Sequence, residues 1–350
     1  MSTFHSLTIK EIIKETPSAV SIEFEVPDSL SNDFSFIPGQ YLTLKAEING
    51  NEVRRAYSIC SSSTSGSLKV AVKEVENGIF STYANRSLQK GDRLEVSIPE
   101  GKFTLDINQG NSNHYGAFAC GSGITPILSM ILSVLENEPN STFSLVYGNK
   151  SIQETIFYDE IEALKTKYAD RFEILYVFSR ENVEGNLFGR IDTSVVNFVL
   201  KNKFKEKSFS NYYLCGPEGM IKLTEQILLD NGVDKGTISF ELFTASTSEN
   251  EVTTGYFDKA SVKIIVDDEE FTISVDADKL ILDACLEEDI DVPYSCQGGV
   301  CSSCIAKVQE GKATMVKNAI LTDGEIQDGL ILACQALAQS SNLVVDFDDV

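Results

Sequence analysis

Apolar and polar residues alternate along the first third of the chain, and this pattern predicts β-strands. The alternation is clearest at residues 18–26, 42–48 and 68–75, and turn residues separate these segments. So many short strands are typical of a small antiparallel barrel. We therefore predict an antiparallel β-barrel domain over residues 1–108, with one helical stretch at residues 83–88.

From about residue 112 the pattern changes to short apolar runs that alternate with helical periodicity. The predicted strands lie at residues 115–120, 143–147, 172–178, 212–215 and 237–243. The predicted helices between them lie at residues 126–135, 157–168, 193–200 and 218–230. Alternating strands and helices indicate βαβ units, so residues 112–243 are expected to form an α/β domain with a parallel sheet.

A third domain is expected after a polar segment at residues 244–257, whose small, aperiodic residues are typical of a flexible linker. Beyond it, alternating strands at residues 261–266 and 270–275 precede a helix at residues 281–287. Residues 258–350 are therefore predicted to form an α+β domain.

Composition agrees with a multidomain protein, because 350 residues are too many for one ordinary core and 42% of them are hydrophobic. The sequence has neither an apolar run long enough for a membrane span nor a basic start followed by an apolar stretch, so we expect a cytoplasmic location and no membrane partner. In a reducing compartment the scattered cysteines should be buried thiols: Cys60, Cys120, Cys215 and Cys285.

The chain is strongly acidic, with a formal net charge of -23. This charge argues against nucleic acid or an anionic membrane surface as a partner. Between residues 260 and 350 there are 18 Asp and Glu against 5 Lys, so about a quarter of the chain carries a net charge of -13. Such a surface serves solubility, or it steers docking onto a basic partner.

The third domain contains the most specific chemical signal, a C-x4-C-x2-C motif followed by a distant cysteine. This spacing is that of a plant-type [2Fe-2S] cluster, in which each iron needs two protein thiolates. Gly298 and Gly299 allow the loop to curl around the cluster. The predicted ligands are Cys296, Cys301, Cys304 and Cys334.

A structural zinc site is the main alternative for these cysteines. Zinc sites usually combine two C-x2-C pairs, whereas only Cys301 and Cys304 form such a pair here. A Rieske centre is excluded because it needs two histidines, and His5 and His114 are distant from the motif. The pattern favours the [2Fe-2S] cluster, so the chain is expected to handle single electrons.

Two turns of the second domain combine a strand end with a helix start, which is where nucleotides bind in parallel sheets. The first contains Gly121, Gly123, Thr125 and Pro126, and the second contains Cys215, Gly216 and Pro217. The first turn could also be an ordinary tight turn, and Cys215 an ordinary buried thiol. After a third strand, Ser179 and Arg180 could bind a 2′-phosphate, which favours NADPH over NADH.

The barrel offers two places for a dinucleotide. On a predicted strand Arg55 and Tyr57 share one face, and Ser58 could join them only if the strand ends or bulges there. The predicted helix at residues 83–88 offers an anion site at its start, although serines at such places are often plain caps. The residues before it are Gly78, Phe80, Ser81 and Thr82.

These motifs resemble those of the ferredoxin-NADP reductase family with a C-terminal plant-type ferredoxin, and the resemblance covers nearly the whole chain. The resemblance implies that the third domain is β-grasp-like and that the R-x-Y-S motif and the glycine-containing loop bind FAD: Arg55, Tyr57, Ser58, Gly78, Phe80, Ser81 and Thr82. It implies NADPH binding by Gly121, Gly123, Thr125, Pro126, Ser179, Arg180, Cys215, Gly216 and Pro217. It also places Cys215 near the nicotinamide and Phe243 against the flavin ring.

The same resemblance implies an electron relay from NADPH to FAD, then to the [2Fe-2S] cluster and on to a partner oxygenase. The implied partner is a multicomponent di-iron monooxygenase that acts on phenylacetyl-CoA. Nothing in the residues themselves identifies the acceptor, so another oxygenase, a desaturase or a hybrid-cluster protein stays open. A redox sensor or metal-binding module without sustained turnover is a further alternative.

Cys301→Ser tests the cluster ligands. The purified wild-type protein should show flavin bands and a [2Fe-2S] spectrum, and the variant should lose only the cluster contribution. The variant should still reduce ferricyanide with NADPH, because the flavin takes up electrons before the cluster does. Iron and acid-labile sulfide analysis checks the assignment, and zinc without sulfide would contradict it.

Overall fold

The computed structural model describes residues 4–243 and 258–350. They fall into two compact units, of which the first contains residues 4–53 and 57–243 and the second contains residues 54–56 and 258–350. The linker predicted at residues 244–257 lies outside the described residues.

The amino-terminal part of the first unit is a six-stranded antiparallel sheet with the order β4-β3-β6-β1-β2-β5. A bridge between Ile59 and Val70 links the ends of this order, so the sheet is barrel-like. Apolar side chains that alternate along the strands fill its interior, including Leu7, Ile22 and Leu42. The strands are β1 (Phe4–Thr16), β2 (Ala19–Glu25), β3 (Tyr41–Ile48), β4 (Asn51–Ser58), β5 (Leu68–Lys73) and β6 (Arg93–Ser97).

The helix expected at residues 83–88 begins four residues earlier, and α1 spans Ile79–Arg86. The amide of Thr82 donates to the Gly78 carbonyl at 3.0 Å and closes the first helical turn. The Ser81 hydroxyl meanwhile accepts from the Val75 amide at 3.2 Å. Ser81 and Thr82 therefore lie within the first turn of the helix and not before it.

The second part of the first unit is a six-stranded sheet, order β10-β9-β8-β7-β11-β12, in which all neighbouring strands are parallel. This confirms the predicted α/β architecture. The strands are β7 (His114–Cys120), β8 (Thr142–Asn149), β9 (Phe172–Phe178), β10 (Leu187–Phe188), β11 (Asn211–Cys215) and β12 (Ile238–Glu241). The helices are α2 (Ile124–Asn137), α3 (Tyr158–Lys167), α4 (Thr193–Phe198) and α5 (Glu218–Asp230).

Most elements of this domain differ from the predicted bounds by one or two residues, and β10 was not predicted. Strand β12 is shorter than the predicted residues 237–243, and a π-helical turn, Val199–Lys203, follows α4 where an ordinary helix was expected to end. Both differences lie at element ends, where the apolar pattern continues beyond the regular hydrogen bonding.

Helix α2 is buried on almost every side and belongs to one core with both sheets. Ile127 and Ile131 pack in the same cluster as Phe103 of the barrel region and Tyr213 of β11. Polar side chains of α2 also bind the barrel region, since the Ser129 hydroxyl donates to the Ser61 carbonyl at 2.7 Å. An all-round apolar helix is stable only when it is enclosed, and here the two sheets enclose it.

The second unit is a mixed five-stranded sheet, order β14-β13-β19-β15-β17, with a short β16-β18 ladder beside it. Helix α6 (Ile281–Glu287) lies where it was predicted, and Ile281, Leu282 and Cys285 pack in the core. The α+β prediction is confirmed. The strands are β13 (Lys259–Val266), β14 (Glu269–Asp276), β15 (Ile305–Glu310), β16 (Ala313–Met315), β17 (Leu330–Leu332), β18 (Ala336–Ala338) and β19 (Asn342–Asp346), and α7 is Asp323–Gln327.

The cysteines outside the cluster motif are free thiols. Cys60, Cys215 and Cys285 are buried, and Cys120 is partly buried. Burial raises the pKa of the Cys285 thiol to about 12, so this thiol is unreactive at neutral pH.

Ile131→Ala tests how much α2 stabilises the first unit. Because Ile131 is fully buried, the variant should lose about 2–4 kcal/mol of unfolding free energy in denaturant titrations. Its neighbour Leu132 is only partly buried, so Leu132→Ala is the matched control and should lose less. Equal losses would contradict the enclosed position of α2.

Candidate functional site

A cavity of about 530 Å³ lies at the carboxyl ends of the parallel strands. This is the edge of a parallel sheet at which ligands bind. Four of the predicted nucleotide residues line it, namely Gly121, Ser179, Arg180 and Pro217. Its volume falls in the range of cofactor pockets.

The two glycine-containing turns are packed against each other at this cavity. A Cβ at Gly123 would overlap the Cys215 carbonyl, and a Cβ at Gly216 would lie 2.9 Å from the Cys120 Cβ. Gly121 has a φ of +56°, and the Tyr147 hydroxyl donates to its carbonyl at 3.0 Å. Gly123 and Gly216 therefore shape the cavity through packing and do not line it.

Three other predicted residues of these turns are buried beneath the surface of the cavity. Thr125 and Pro126 lie in the first turn of α2, where the Thr125 hydroxyl donates to the Ser122 carbonyl at 3.1 Å. Cys215 is fully buried, and desolvation raises the pKa of its thiol well above the ordinary value. All three support the turns from below.

Cations outnumber carboxylates around the cavity. It is lined by Lys73, Lys150, Arg180 and Arg190, against Glu154 and Asp192. Lys150 pairs with Glu154 at 2.9 Å, and the Asp192 carboxylate caps α4 by accepting from the Val195 amide at 2.9 Å. The remaining positive charge suits an anionic ligand such as a dinucleotide.

Lys73 and Arg190 were missed by sequence reasoning, because each reaches the cavity from outside the recognisable turns. Lys73 ends barrel strand β5, and its Nζ lies 3.5 Å from a Cβ built on Gly121. Arg190 follows β10, a strand too short to give an alternating pattern.

A second group of polar residues lies where the barrel meets β12. From the sequence, the Ser58 hydroxyl could join Arg55 and Tyr57 only if the strand ended or bulged at Ser58. Strand β4 does end at Ser58. The Ser58 hydroxyl donates to Glu241 Oε2 at 3.1 Å, and Glu241 pairs with Cys215 across the parallel ladder. Burial raises the pKa of the Glu241 carboxyl to about 8, so this side chain mostly keeps its proton at neutral pH.

Glu241 is the residue of this group to which sequence reasoning gave no role. A carboxyl at the end of a short strand has no distinctive local pattern, and only the fold brings it to Ser58. Phe243, two positions later, is 38% exposed, so its ring has free surface for a planar ligand.

The barrel also brings the R-x-Y-S strand and the start of α1 together. The Tyr57 ring lies 5.6 Å from the Phe80 ring, and Phe80 is only 1% exposed. A Cβ at Gly78 would lie in conflict with Ser81 and Val75, so the turn requires glycine. Phe80 is therefore a packing residue beneath Tyr57, which itself keeps partial exposure.

The four cysteines of the motif converge in the second unit. Cys296, Cys301 and Cys304 lie in one loop, and Cys334 lies in a short helical turn directly after β17. The Cys296 thiol is within hydrogen-bonding reach of Cys301 and Cys334, and Cys334 is within reach of Cys304. The Ala333 amide donates to the Cys304 carbonyl at 2.9 Å and holds the turn beside the loop.

A buried glutamine, which the motif does not include, fastens this loop. The Gln335 amide donates to the Gln297 carbonyl at 3.1 Å and to the Cys334 carbonyl at 2.7 Å. Gln297 and Gly299 both have positive φ, at 52° and 73°. The loop thus adopts the tight curl that a cluster requires, and Gln335 stabilises it.

The chemistry of the loop fits a [2Fe-2S] cluster. The Ser295 hydroxyl is buried and has no hydrogen-bond partner within the described residues, and a cluster sulfide would supply an acceptor. The Gly298 amide already points at Cys296 Sγ, at 3.3 Å. In residues 4–243 and 258–350, no three side chains of His, Cys, Asp or Glu form a group that could hold a single metal ion. A [2Fe-2S] cluster differs in this respect, because each of its irons takes only two protein thiolates.

Family models match three parts of the chain. Residues 6–105 match an oxidoreductase FAD-binding domain. Residues 118–226 match an oxidoreductase NAD-binding domain. Residues 264–339 match a 2Fe-2S iron-sulfur cluster binding domain. These three matches correspond to the barrel, the parallel sheet and the second unit.

Several known proteins match the chain over nearly its full length. The chain is 40% identical to one of the subunits of the 1,2-phenylacetyl-CoA epoxidase of Escherichia coli, covering 99% of both chains. It is 31% identical to the ferredoxin reductase component of the 3-ketosteroid-9-alpha-monooxygenase of Rhodococcus rhodochrous, covering 97% of this chain and 96% of that one. Among solved structures, phthalate dioxygenase reductase is similar with a TM-score of 0.62, 26% identity and coverage of 98% of each chain.

Gln335→Ala tests the role of this glutamine in the cluster loop. Loss of its two hydrogen bonds should lower the unfolding free energy of the second unit by about 1–3 kcal/mol. It should also speed cluster bleaching in the presence of a chelator, followed by visible absorbance. Gln309→Ala is the matched control, because Gln309 binds Asp346 at 2.6 Å outside the loop. Equal bleaching rates in the two variants would contradict this role.

Proposed function

The chain belongs to the family of NAD(P)H-dependent oxidoreductases that join FAD-binding, NAD-binding and 2Fe-2S domains in one polypeptide, and we propose that it supplies electrons to a phenylacetyl-CoA epoxidase. The observation that carries this proposal is the 40% identity to a component of such an epoxidase over nearly the full length. The 3-ketosteroid and phthalate relatives are also oxygenase reductases, which supports an oxygenase as the acceptor.

When bound, FAD accepts a hydride as an electron pair and passes electrons on singly, as a one-electron cluster requires. In our proposal Arg55 and the amides at the start of α1 hold the pyrophosphate of FAD, and Tyr57 covers its ring. Ser58 and Glu241 would face the bound flavin, where the protonated carboxyl of Glu241 would accept from the Ser58 hydroxyl and orient it. Phe80 would contribute by packing beneath Tyr57. The proposed FAD-binding residues are Arg55, Tyr57, Ser58, Gly78, Phe80, Ser81 and Thr82.

The cavity at the parallel sheet is proposed to bind the pyridine nucleotide. Gly121 and Pro217 would contact the dinucleotide, while Gly123, Thr125, Pro126 and Gly216 keep the turns in place. Cys215 and Phe243 are assigned to the nicotinamide and flavin region. The four cysteines Cys296, Cys301, Cys304 and Cys334 are assigned to the cluster.

We propose NADPH, and not NADH, as the physiological donor. Ser179, Arg180 and Arg190 all line the cavity, and neither guanidinium has an ion-pair partner among the residues described. Two guanidinium groups and a hydroxyl suit a 2′-phosphate, which is absent from NADH.

The proposed domain boundaries follow the sequence: residues 1–108 for FAD, 112–243 for the nucleotide and 258–350 for the cluster. The net charge of -23 supports our inference that nucleic acid is not a partner. The free thiols support a reducing, cytoplasmic location. Within the described part of the chain, every helix is too short or too polar to cross a membrane.

Arg180→Ala tests the choice of NADPH. Loss of a charge-assisted phosphate contact, worth about 1.5–3 kcal/mol, should raise the KM for NADPH by roughly tenfold or more. The KM for NADH should change little. Lys235→Ala is the control, because Lys235 is exposed and does not line the cavity. Equal changes for both nucleotides, or a wild-type preference for NADH, would contradict the assignment.

Reconstitution with purified oxygenase components tests the acceptor. With epoxidase components and phenylacetyl-CoA, NADPH oxidation should be coupled to product formation, whereas steroid oxygenase components should give only uncoupled oxidation. The coupled rate should fall as salt rises, because the net charge of -13 after residue 260 would steer docking and a Debye length near 10 Å at 0.1 M screens it. If the protein reduces ferricyanide but its NADPH oxidation is not coupled to any oxygenase, the proposed acceptor is wrong and the proposed reductase chemistry still holds.

A further inference from the structure

We propose that a second cavity, at the opposite edge of the parallel sheet, binds a small organic anion with an apolar body. This cavity of about 440 Å³ lies near the amino ends of β11 and β12. It is distinct from the nucleotide cavity, because the length of β11, roughly 16 Å, separates the two edges. Its size is that of a small-molecule site.

Aromatic rings form the apolar part of the cavity. Phe204, Phe209 and Tyr212 line it, with ring centroids 5.0 Å apart for Phe204 and Phe209 and 4.9 Å apart for Phe209 and Tyr212. Phe209 is only partly buried, so part of its ring is available to a ligand. Three neighbouring rings favour an aromatic or short-chain body.

Lysines form the charged part of the cavity. Lys201, Lys205 and Lys207 line it, and Asp234 is the carboxylate among the lining residues. Lys207 pairs with Glu173, and Asp234 accepts from the Gly236 amide at 2.9 Å. Lys201 and Lys205 are exposed and have no carboxylate partner in the described part of the chain. Two ammonium groups without carboxylate partners, next to an apolar surface, suit a ligand with a negative charge and an apolar body.

The backbone at this cavity departs from regular helix geometry. The π-helical turn Val199–Lys203 carries Lys201 and leads directly into Phe204. Such turns are uncommon and are often found at functional sites, since they reorient side chains at some cost in helix stability. Tyr212 is 5% exposed, and its hydroxyl has no hydrogen-bond partner in the residues described, so it is available to a polar atom of the ligand.

Two fluorescent dyes of matched shape test the site in the FAD- and cluster-loaded protein. Anilinonaphthalene sulfonate is anionic, whereas N-phenylnaphthylamine is neutral, and both are titrated with the nucleotide site saturated by NADP+. The double variant Lys201→Gln, Lys205→Gln should weaken binding of the anionic dye about fivefold and leave the neutral dye nearly unchanged. Lys203→Gln is the matched control, because Lys203 lies in the same turn but does not line the cavity.

A tryptophan reporter locates the bound dye independently. The chain has 0 Trp residues, so Phe209→Trp gives a single donor at the cavity. Strong energy transfer from this residue to the anionic dye is the expected result. The proposal is overturned if the anionic dye does not bind while NADP+ saturates the nucleotide site, if energy transfer is absent, or if Lys203→Gln weakens binding as much as the double variant.

Discussion

The enclosure of helix α2 is the interaction on which the reductase part of the molecule depends. Its apolar residues share one core with the barrel and the parallel sheet, so the surfaces of both sheets that face α2 are buried. The same helix begins at the turn that contains Gly121 and Gly123. Packing of α2 therefore positions this turn at the cavity proposed for the nucleotide, and the barrel and the sheet meet again where the Ser58 hydroxyl donates to Glu241.

The second unit faces a different constraint, since four sulfur atoms must be collected from two separate segments. Three come from a loop that needs positive φ at Gln297 and Gly299. The fourth comes from the turn after β17, which Ala333 and Gln335 attach to the loop by hydrogen bonds. Four neighbouring thiolates would repel one another, and the irons of a [2Fe-2S] cluster would supply the positive charge that stabilises them.

Local patterns predicted the regular elements well, and they failed where distant segments meet. Helix α5 begins and ends where its periodicity and its preceding proline indicated. Helix α1 begins earlier than predicted, because its N-cap is Gly78, which carries no capping side chain. Lys73, Arg190, Glu241 and Gln335 could not be assigned from sequence, because each acquires its partners only through the tertiary fold.

The most direct test of the electron relay is an anaerobic titration with NADPH, followed by flavin absorbance and by the EPR signal of the reduced cluster. Wild-type protein should take up about three electrons per chain, two on the flavin and one on the cluster. Cys301→Ser should take up about two electrons and give no cluster signal. A cluster that stays oxidised in wild-type protein while the flavin is fully reduced would contradict the account.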